Sequence, residues 1–339
     1  MVTTFYSALN ENTSKLKADA SVFTIADGIV QHMLVNHLFA GDKFKDVVGE
    51  EDCAVNLTTK PYTVADLTVP EDFNACIEST LASIAALAAQ VSPDAYRDLS
   101  VFIDPIYGTR EFATGMGEQC SICIGFASAE GRPVAGVVYR PLTRPTATWA
   151  AGAASEAYAE SVLDVAAVPN PKGLLTSNGG ISDFVGQLID SLGFERVRSG
   201  GAGNKMLMLL EKKGGAYIQD RGVSRWDTCG AQAVLEAHGG VLAKLTAFVD
   251  RRELQSYTYL KAAHNLDFEP GKASLTPYNA ADRSAVKKGE TVVATDVAAV
   301  LPYSNLCGLL ALDQAAVPDL DRFHAAMEAV KGVAPPAYD

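Results

Sequence analysis

Acidic side chains stand where apolar segments end or where helices begin in this sequence. Carboxylate oxygens are the ligands that Mg2+ prefers in proteins, usually together with water and substrate phosphate oxygens. Acids from strand ends and helix starts could therefore converge on one divalent ion. The candidate residues are Asp27, Glu50, Glu51, Asp104 and Asp227.

Each of these acids also has a purely structural interpretation. Glu50 and Glu51 form a charged turn of a kind that is usually solvated, and Asp104-Pro105 is a common turn opening. Asp27 and Asp227 stand at predicted helix starts, where a side-chain oxygen caps free backbone N–H groups. Spacing does not show whether the five acids meet in space, so both interpretations stay open.

The segment from Asp104 to Thr109 is the most informative of these positions. The apolar residues 99–103 end at Asp104, and Gly108 opens the next element. A carboxylate at a strand end, followed by a tight turn, is a good place to hold a hard cation. Position 107 is where a second carboxylate would be expected, and it is tyrosine.

Composition excludes several classes of function. The chain has 339 residues and a formal net charge of −12, whereas a protein that binds nucleic acid polymers carries a basic face.

Six scattered cysteines favour a reducing compartment, and we interpret Cys120 and Cys123 as core residues. The N-terminal residues lack an apolar signal and no segment is long enough for a membrane span. We expect a cytoplasmic or organellar protein that is not secreted.

The positions of apolar and turn-forming residues predict alternating helices and strands in two halves. Helices are predicted over residues 26–39, 70–91, 181–192, 204–212, 227–237 and 320–330. Strands are predicted over residues 99–103, 119–126, 134–139, 174–175, 196–199 and 216–219. A linker at 169–173 separates an N-terminal α+β half, residues 1–165, from a C-terminal α/β half, residues 166–339. Residues 250–303 are irregular and give no clear prediction.

Three motifs occur in order along the chain. They are Gly49-Glu50-Glu51 after an apolar strand, the segment from Asp104 to Thr109, and Trp226-Asp227 followed by Gly239-Gly240. Together they resemble the magnesium-dependent, lithium-sensitive phosphomonoesterases, the superfamily of inositol monophosphatase. The resemblance covers residues 20–245 and implies an α/β (α+β) fold, the layered αβαβα sandwich of the inositol monophosphatase and sugar phosphatase type.

Details of the motifs resemble the 3′(2′),5′-bisphosphate nucleotidase branch, which implies hydrolysis of 3′-phosphoadenosine 5′-phosphate to AMP and phosphate. The glycine run from Gly200 to Lys205 is one such detail, although glycines before a helix also indicate tight chain packing. Inositol polyphosphate 1-phosphatase has similar segments and stays an alternative. A catalytically silent ligand-binding or regulatory protein on the same scaffold is a second alternative. The partner implied is a small phosphorylated substrate, and the oligomeric state stays open.

The resemblance also implies roles for individual residues around two or three Mg2+ ions. Glu50 and Asp104 with the Ile106 carbonyl would hold the first ion, and Asp104, Asp227 and the residue at 107 the second. The residues implied around the attacking water are Asp27, Glu51 and Thr109. The residues implied in substrate binding are Gly108, Thr109, Ser177, Gly201, Gly203 and Lys205.

Tyr107 departs from the motif at one of the implied metal ligands. A free tyrosine has a pKa of about 10, so it brings no charge at pH 7 to offset a second cation. Three interpretations follow: a loss-of-function variant of an ordinary phosphatase, a natural pseudoenzyme, or a working enzyme with altered metal use. We expect turnover that is weak or absent, and a gain of orders of magnitude in Mg2+-dependent phosphatase activity when Tyr107 is replaced by aspartate.

Overall fold

The computed structural model describes residues 1–9, 13–16, 22–92, 94–260, 304–305 and 308–336. Most of the irregular stretch 250–303 lies outside the described residues. The helices are α1 (Val2–Ser7), α2 (Ile25–Met33), α3 (Asn74–Ala88), α4 (Thr109–Ala113), α5 (Asp183–Leu192), α6 (Ala202–Leu210), α7 (Arg225–Ala237), α8 (Leu245–Arg251) and α9 (Leu320–Lys331). Helix α2 continues as a π-helix over Leu34–Leu38.

The strands form two large sheets and three small ones. Small sheets contain β1 (Ser14–Leu16) with β2 (Val22–Thr24), β4 (Val55–Asn56) with β5 (Thr63–Val64) and β6 (Leu67–Thr68), and β15 (Val223–Ser224) with β17 (Ser304–Asn305). The strands of the large sheets are β3 (Asp46–Gly49), β7 (Ser100–Tyr107), β8 (Ser121–Ala127), β9 (Pro133–Arg140), β10 (Thr148–Ala153), β11 (Tyr158–Val162), β12 (Gly173–Thr176), β13 (Glu195–Arg198), β14 (Ala216–Gln219), β16 (Val241–Lys244) and β18 (Leu309–Leu312).

The two large sheets differ in how their strands pair. The first has the order β11-β10-β9-β8-β7-β3 and is antiparallel except for the parallel pair β3 and β7. The second has the order β13-β12-β14-β18-β16. Its strands β13, β12 and β14 are parallel, while β18 runs antiparallel to both of its neighbours.

Helices cover both sheets and fill the space between them. Helix α2 packs on β7 from outside, and α7 packs on β8, β9 and β10 from the other side. Helices α6 and α7 pack on each other and reach β14 and β16 of the second sheet. Helices α5, α8 and α9 form the last layer, which buries Phe184, Phe248 and Phe323. This is the αβαβα order that the resemblance implies.

Most predicted elements are present, with one instructive difference at the site. Strand β7 does not end at residue 103 but continues to Tyr107, with a register shift between Asp104 and Tyr107. Pro105 lies in that irregular stretch, and proline has no N–H to donate to the ladder. Strands β16 and β18 were not predicted.

Cys120 and Cys123 are buried and free, as the core interpretation requires, and burial raises the pKa of the Cys123 thiol to about 12.

None of the helices in the described part of the chain combines the length and apolar character needed to span a lipid bilayer.

Glycines let α7 lie directly on the backbone of the first sheet. Gly125 and Gly136 are opposite each other on β8 and β9, and both face Gly230 of α7. A Cβ atom built at Gly125 or Gly136 would overlap the backbone of Gly230. Because Asp227 lies one turn before Gly230, this contact sets how closely Asp227 approaches the sheet.

We expect Gly136→Ala to destabilise the protein by about 1–3 kcal/mol, because the methyl group would force helix and sheet apart. Gly186→Ala is the matched control, since Gly186 lies inside α5 with nothing nearer than 3.9 Å to the added Cβ. That change should stabilise by up to about 1 kcal/mol through helix propensity. Urea unfolding measures both, and an equal effect of the two substitutions would contradict the close contact.

Candidate active site

Parallel pairing of β3 and β7 brings Glu50 and Asp104 together. Gly49 lies opposite Ile103, and the Glu50 N–H donates to the Ile103 carbonyl over 3.1 Å. Neighbouring parallel strands point the same way, so Glu50 and Asp104, the next residues after the paired segment, lie side by side at its end. The first two motifs therefore meet through a strand pair of high sequence separation.

Asp104 is the acid of the site whose ionised form is strongly disfavoured by its surroundings. It is fully buried, and neither side-chain oxygen has a hydrogen-bond partner. Burial raises the pKa of Asp104 well above its usual range, and the charges of Glu50 and Asp227 raise it further. The adjacent Glu50 carboxyl can donate a hydrogen bond only when protonated, so it does not relieve an ionised Asp104. Buried carboxylates need a donor or a cation as partner.

Asp227 reaches the same centre from the start of α7. Its Oδ2 accepts a hydrogen bond from the Ser224 N–H over 2.7 Å, in a capping box with the Ser224 side chain. Asp227 is therefore not the N-cap, which is Ser224, but the third helical residue, and its carboxylate caps the helix by bonding back to the N-cap N–H. Capping does not exclude a metal-binding role for Asp227, because its charge raises the pKa of both Asp104 and Tyr107 and so lies near them.

Tyr107 places a neutral phenol among these acids. Burial raises the pKa of Tyr107 well above its usual value, and the charges of Asp227, Tyr217 and Asp104 raise it further. A hydrogen bond from the Ala202 N–H lowers the pKa by a smaller amount. The side chain packs against the core between the two sheets. The phenol therefore stays protonated at any ordinary pH and offers no anionic oxygen to a cation.

The residues fit one oxygen-bound divalent cation better than two. Glu50, Asp104 and the Ile106 carbonyl would hold one Mg2+, which typically takes one or two carboxylates and leaves other positions to water and phosphate. The unpartnered oxygens of Asp104 support that site. The second implied set, Asp104, Asp227 and position 107, lacks its third carboxylate. Across the residues that the structure describes, no group of three or more His, Cys, Asp or Glu side chains is placed to hold a metal ion.

Thr109 and Asp27 form a hydrogen-bonded pair beside the acids. The Thr109 hydroxyl lies 3.0 Å from both Asp27 Oδ1 and the Ile106 carbonyl oxygen. Asp27 Oδ2 accepts from the N–H and the hydroxyl of Thr24, so Asp27 also caps α2. Burial raises the pKa of Asp27 to about 7, with a smaller contribution from the Glu51 charge. A carboxyl group with that pKa can exchange a proton near neutral pH.

Glu51 is held in place by Gln31 of α2. The Gln31 Oε1 accepts from the Glu51 N–H over 2.8 Å, and its Nε2 donates to the Glu51 carbonyl. Gly49 leaves the space that this amide occupies, because a Cβ there would overlap the Gln31 side chain. The glycine of the first motif is therefore required by a clamp between α2 and the end of β3.

Gly108 begins the short helix α4 in a left-handed conformation. Its φ of +92° is one that L side chains rarely adopt. The Gly108 carbonyl accepts from the Phe112 N–H over 2.8 Å and from the Cys120 thiol over 3.2 Å. These bonds hold the backbone N–H groups of Gly108 and Thr109 next to the Thr109 hydroxyl.

The predicted substrate residues of the second half lie in different surroundings. Gly201 has a φ of +66° and is the N-cap of α6, whereas Gly203 packs against Cys123 of β8. Lys205 is buried, with its Nζ 3.2 Å from the Ser199 carbonyl and 4.7 Å from the Tyr217 ring centre. Burial lowers the pKa of Lys205 to about 7, although Glu111 and Asp227 raise it.

Three polar residues that the sequence analysis did not select connect the two halves of the site. The Asn178 amide donates to Glu111 Oε1 (2.9 Å) and to Gln119 Oε1 (2.8 Å). The same Gln119 oxygen accepts from the Gly200 N–H over 2.7 Å. The half-buried Ser177 precedes Asn178, and its carbonyl accepts from Arg196. These residues are far apart in the chain, so no local spacing marks them.

The comparison with known families agrees with this geometry. The inositol monophosphatase family matches residues 4–267. The chain belongs to the inositol monophosphatase family. The family and the relatives below are phosphatases, hydrolases that act on phosphoric monoesters. Members of the family are generally Mg2+-dependent.

Two curated relatives carry the name 3′(2′),5′-bisphosphate nucleotidase 1. The Dictyostelium discoideum protein is 28% identical over 245 residues, which cover 67% of this chain and 75% of that protein. The human protein is 31% identical over 195 residues, which cover 53% of this chain and 62% of that protein.

Two solved structures share the fold. The extragenic suppressor protein suhB from Bartonella henselae has a TM-score of 0.53 at 13% identity, over 96% of this chain and 92% of that chain. Staphylococcal IMPase-I, complexed with products, has a TM-score of 0.52 at 11% identity, over 96% of this chain and 87% of that chain. At these identities the likeness shows the fold alone.

We expect Asp27→Asn to stabilise the folded protein in a pH-dependent way. The folded pKa of about 7 lies above the usual value of 3.8, so the folded state binds this proton more tightly than the unfolded state. Stability from this group is greatest at low pH and is lost as pH rises from about 4 through about 7. The advantage of the neutral asparagine should therefore grow over that range and be constant above pH 8.

Urea unfolding from pH 4 to pH 8 measures this difference. Asp183→Asn is the matched control, because Asp183 is an exposed acid in the first turn of α5. A pH-independent difference between Asp27→Asn and the parent would contradict the raised pKa.

Proposed function

We propose that this protein is a Mg2+-dependent phosphomonoesterase of the 3′(2′),5′-bisphosphate nucleotidase type with turnover impaired by Tyr107. The substrate proposed is 3′-phosphoadenosine 5′-phosphate or a related small bisphosphate, cleaved to AMP and phosphate in the first case. The observation that carries the proposal is the buried, unpartnered Asp104 carboxyl beside Glu50, with the Thr109–Asp27 pair next to it. The names of the curated relatives support the choice of a nucleotide bisphosphate.

The chain's own groups would serve as follows. An ionised Asp27 would accept a hydrogen bond from the Thr109 hydroxyl, so that a lone pair of Thr109 Oγ1 accepts a hydrogen bond from the attacking water. As the water attacks, its proton would pass to Thr109 Oγ1 and the Thr109 proton to Asp27. The N–H groups of Gly108 and Thr109 would bind phosphate oxygens. Mg2+ held by Glu50, Asp104 and the Ile106 carbonyl would lower the pKa of the water and offset charge on the phosphate.

Tyr107 removes part of this arrangement. In a two-ion site the second cation neutralises charge on the leaving oxygen. Here Asp227 and Asp104 would face that position with a neutral phenol in place of the third carboxylate. The ring also takes space that a carboxylate and bound waters would use. The proposed chemistry is therefore left with one well-supported cation position.

The same observation favours a second candidate function, a silent ligand-binding or regulatory protein. A chain that keeps Glu50, Asp104, Asp227 and Thr109 retains the groups that bind a phosphate through a cation. Loss of the second cation position would slow turnover more than binding, because the missing charge acts on the leaving group. Inositol polyphosphate 1-phosphatase activity is the remaining alternative within the enzyme class.

We expect Tyr107→Asp to raise Mg2+-dependent phosphate release from 3′-phosphoadenosine 5′-phosphate by at least about 100-fold, because it restores an anionic ligand between Asp104 and Asp227. Tyr107→Phe is the control, since it removes the hydroxyl without adding charge and should leave the rate near that of the parent. A parent that hydrolyses the bisphosphate as fast as Tyr107→Asp would overturn the proposed impairment.

Phosphate release from a panel of substrates separates the candidate functions. With Mg2+, and with Li+ as inhibitor, the Tyr107→Asp variant should act on bisphosphate nucleotides faster than on inositol 1,4-bisphosphate. Calorimetry on the parent with Mg2+ and the nucleotide reports binding. Binding without release from either chain supports the silent protein, and preference for the inositol compound supports the alternative enzyme.

A further inference from the structure

A pair of histidines at the junction of α2 and its π-helical continuation stands apart from the carboxylate site. His32 is half-buried and His37 is exposed, and their ring centres are 5.5 Å apart with the planes inclined at 61°. His32 lies near the end of α2, whereas His37 lies in the π-helix Leu34–Leu38 that follows. Single π-helical turns inside α-helices are rare and are frequent at functional sites.

The separation of the two rings matches that of imidazoles bound to one ion. A zinc-bound imidazole nitrogen lies about 2.0–2.1 Å from the metal, which puts the ring centre about 3.2 Å from it. Two rings at a tetrahedral angle then have their centres about 5.2 Å apart. The observed 5.5 Å needs only a small opening of that angle.

The contact that His32 Nδ1 makes decides which ring nitrogen could bind a metal. The Asn36 amide nitrogen lies 3.0 Å from His32 Nδ1. An amide can present either its NH2 or its oxygen, so Asn36 could equally accept from Nδ1–H when Nε2 binds a metal.

We propose that His32 and His37 form a two-histidine chelate for a divalent transition-metal ion such as Ni2+, Cu2+ or Zn2+, separate from the oxygen site for Mg2+. Imidazole nitrogen prefers these ions, whereas Mg2+ prefers carboxylate, carbonyl and water oxygens. Because no larger group of metal-binding side chains is present among the described residues, water fills the other positions and the ion is exchangeable.

The position of the pair connects it to the acidic site through one helix. Asp27 lies at the start of α2, and Gln31, which clamps the Glu51 backbone, directly precedes His32. A metal that bridges His32 and His37 would tie the π-helical turn to the end of α2. It would stabilise the element that carries these two residues without touching the acids.

Titration with Ni2+ in an excess of Mg2+ tests the chelate, because Mg2+ occupies oxygen sites. We expect micromolar binding of one ion by calorimetry and a raised unfolding temperature in Ni2+. His37→Gln, at an exposed position, should weaken the affinity at least tenfold. The Cu2+ form should show hyperfine coupling to two imidazole nitrogens by electron paramagnetic resonance.

His238→Gln is the matched control, since His238 is also half-buried near a helix end, where its Nδ1 lies 2.9 Å from the Val234 carbonyl. It should leave Ni2+ affinity unchanged. Retained affinity and retained two-nitrogen coupling in the His32→Gln, His37→Gln double variant would overturn the proposal. Because these readouts are binding and spectroscopy, they do not depend on whether the protein is a phosphatase.

Discussion

The structure around the site depends on the buried carboxyl group of Asp104, which is held beside the half-buried carboxyl group of Glu50. Parallel pairing of β3 with β7 puts Glu50 next to Asp104, and no hydrogen bond satisfies Asp104. Such a pair is unfavourable unless it shares a proton or binds a cation, because like charges in a dry environment repel strongly. The surrounding elements maintain that position. The glycine contact of α7 with the sheet brings Asp227 close, and the Gln31 clamp fixes the residue after Glu50.

The sequence predicted the fold class and selected acids that interact in the structure, but it did not predict the strand pairing that brings them together. Glu50, Asp104 and Asp227 were recognisable because each follows an apolar segment or stands near a helix start, and because three motifs occur in a known order. Parallel pairing of β3 with β7 was not predictable from spacing, since it joins residues about fifty positions apart. Strand β18 comes after a stretch that gave no pattern, yet it lies between β14 and β16. Tertiary pairing decided these features, and local propensity carries no information about it.

Two of the open alternatives proved not to exclude each other. Asp27 and Asp227 are both caps and members of the site, each at the third position of a helix whose N-cap it bonds. The capping bonds fix one carboxylate oxygen, and the other remains directed toward Thr109 in the case of Asp27. A helix start is therefore an efficient way to place a carboxylate, because the same bonds that begin the helix also orient the acid. A single side chain can therefore satisfy local structure and also face the candidate site.

Tyr107 can be accommodated because the fold does not depend on charge at that position. The register shift of β7 ends there, and the ring packs with the apolar residues between the sheets. An aspartate at the same place would add a third acid beside Asp104 and Asp227, whose mutual repulsion only a bound cation offsets. Without a bound metal, the folded chain is therefore more stable with a phenol at position 107 than with a third carboxylate. Tyrosine at this position contributes apolar packing, whereas aspartate would contribute repulsion between carboxylates. In a two-ion site the bound metals relieve that repulsion, which favours their binding. The acids around Tyr107 keep their places, so the proposed first cation position retains both Glu50 and Asp104.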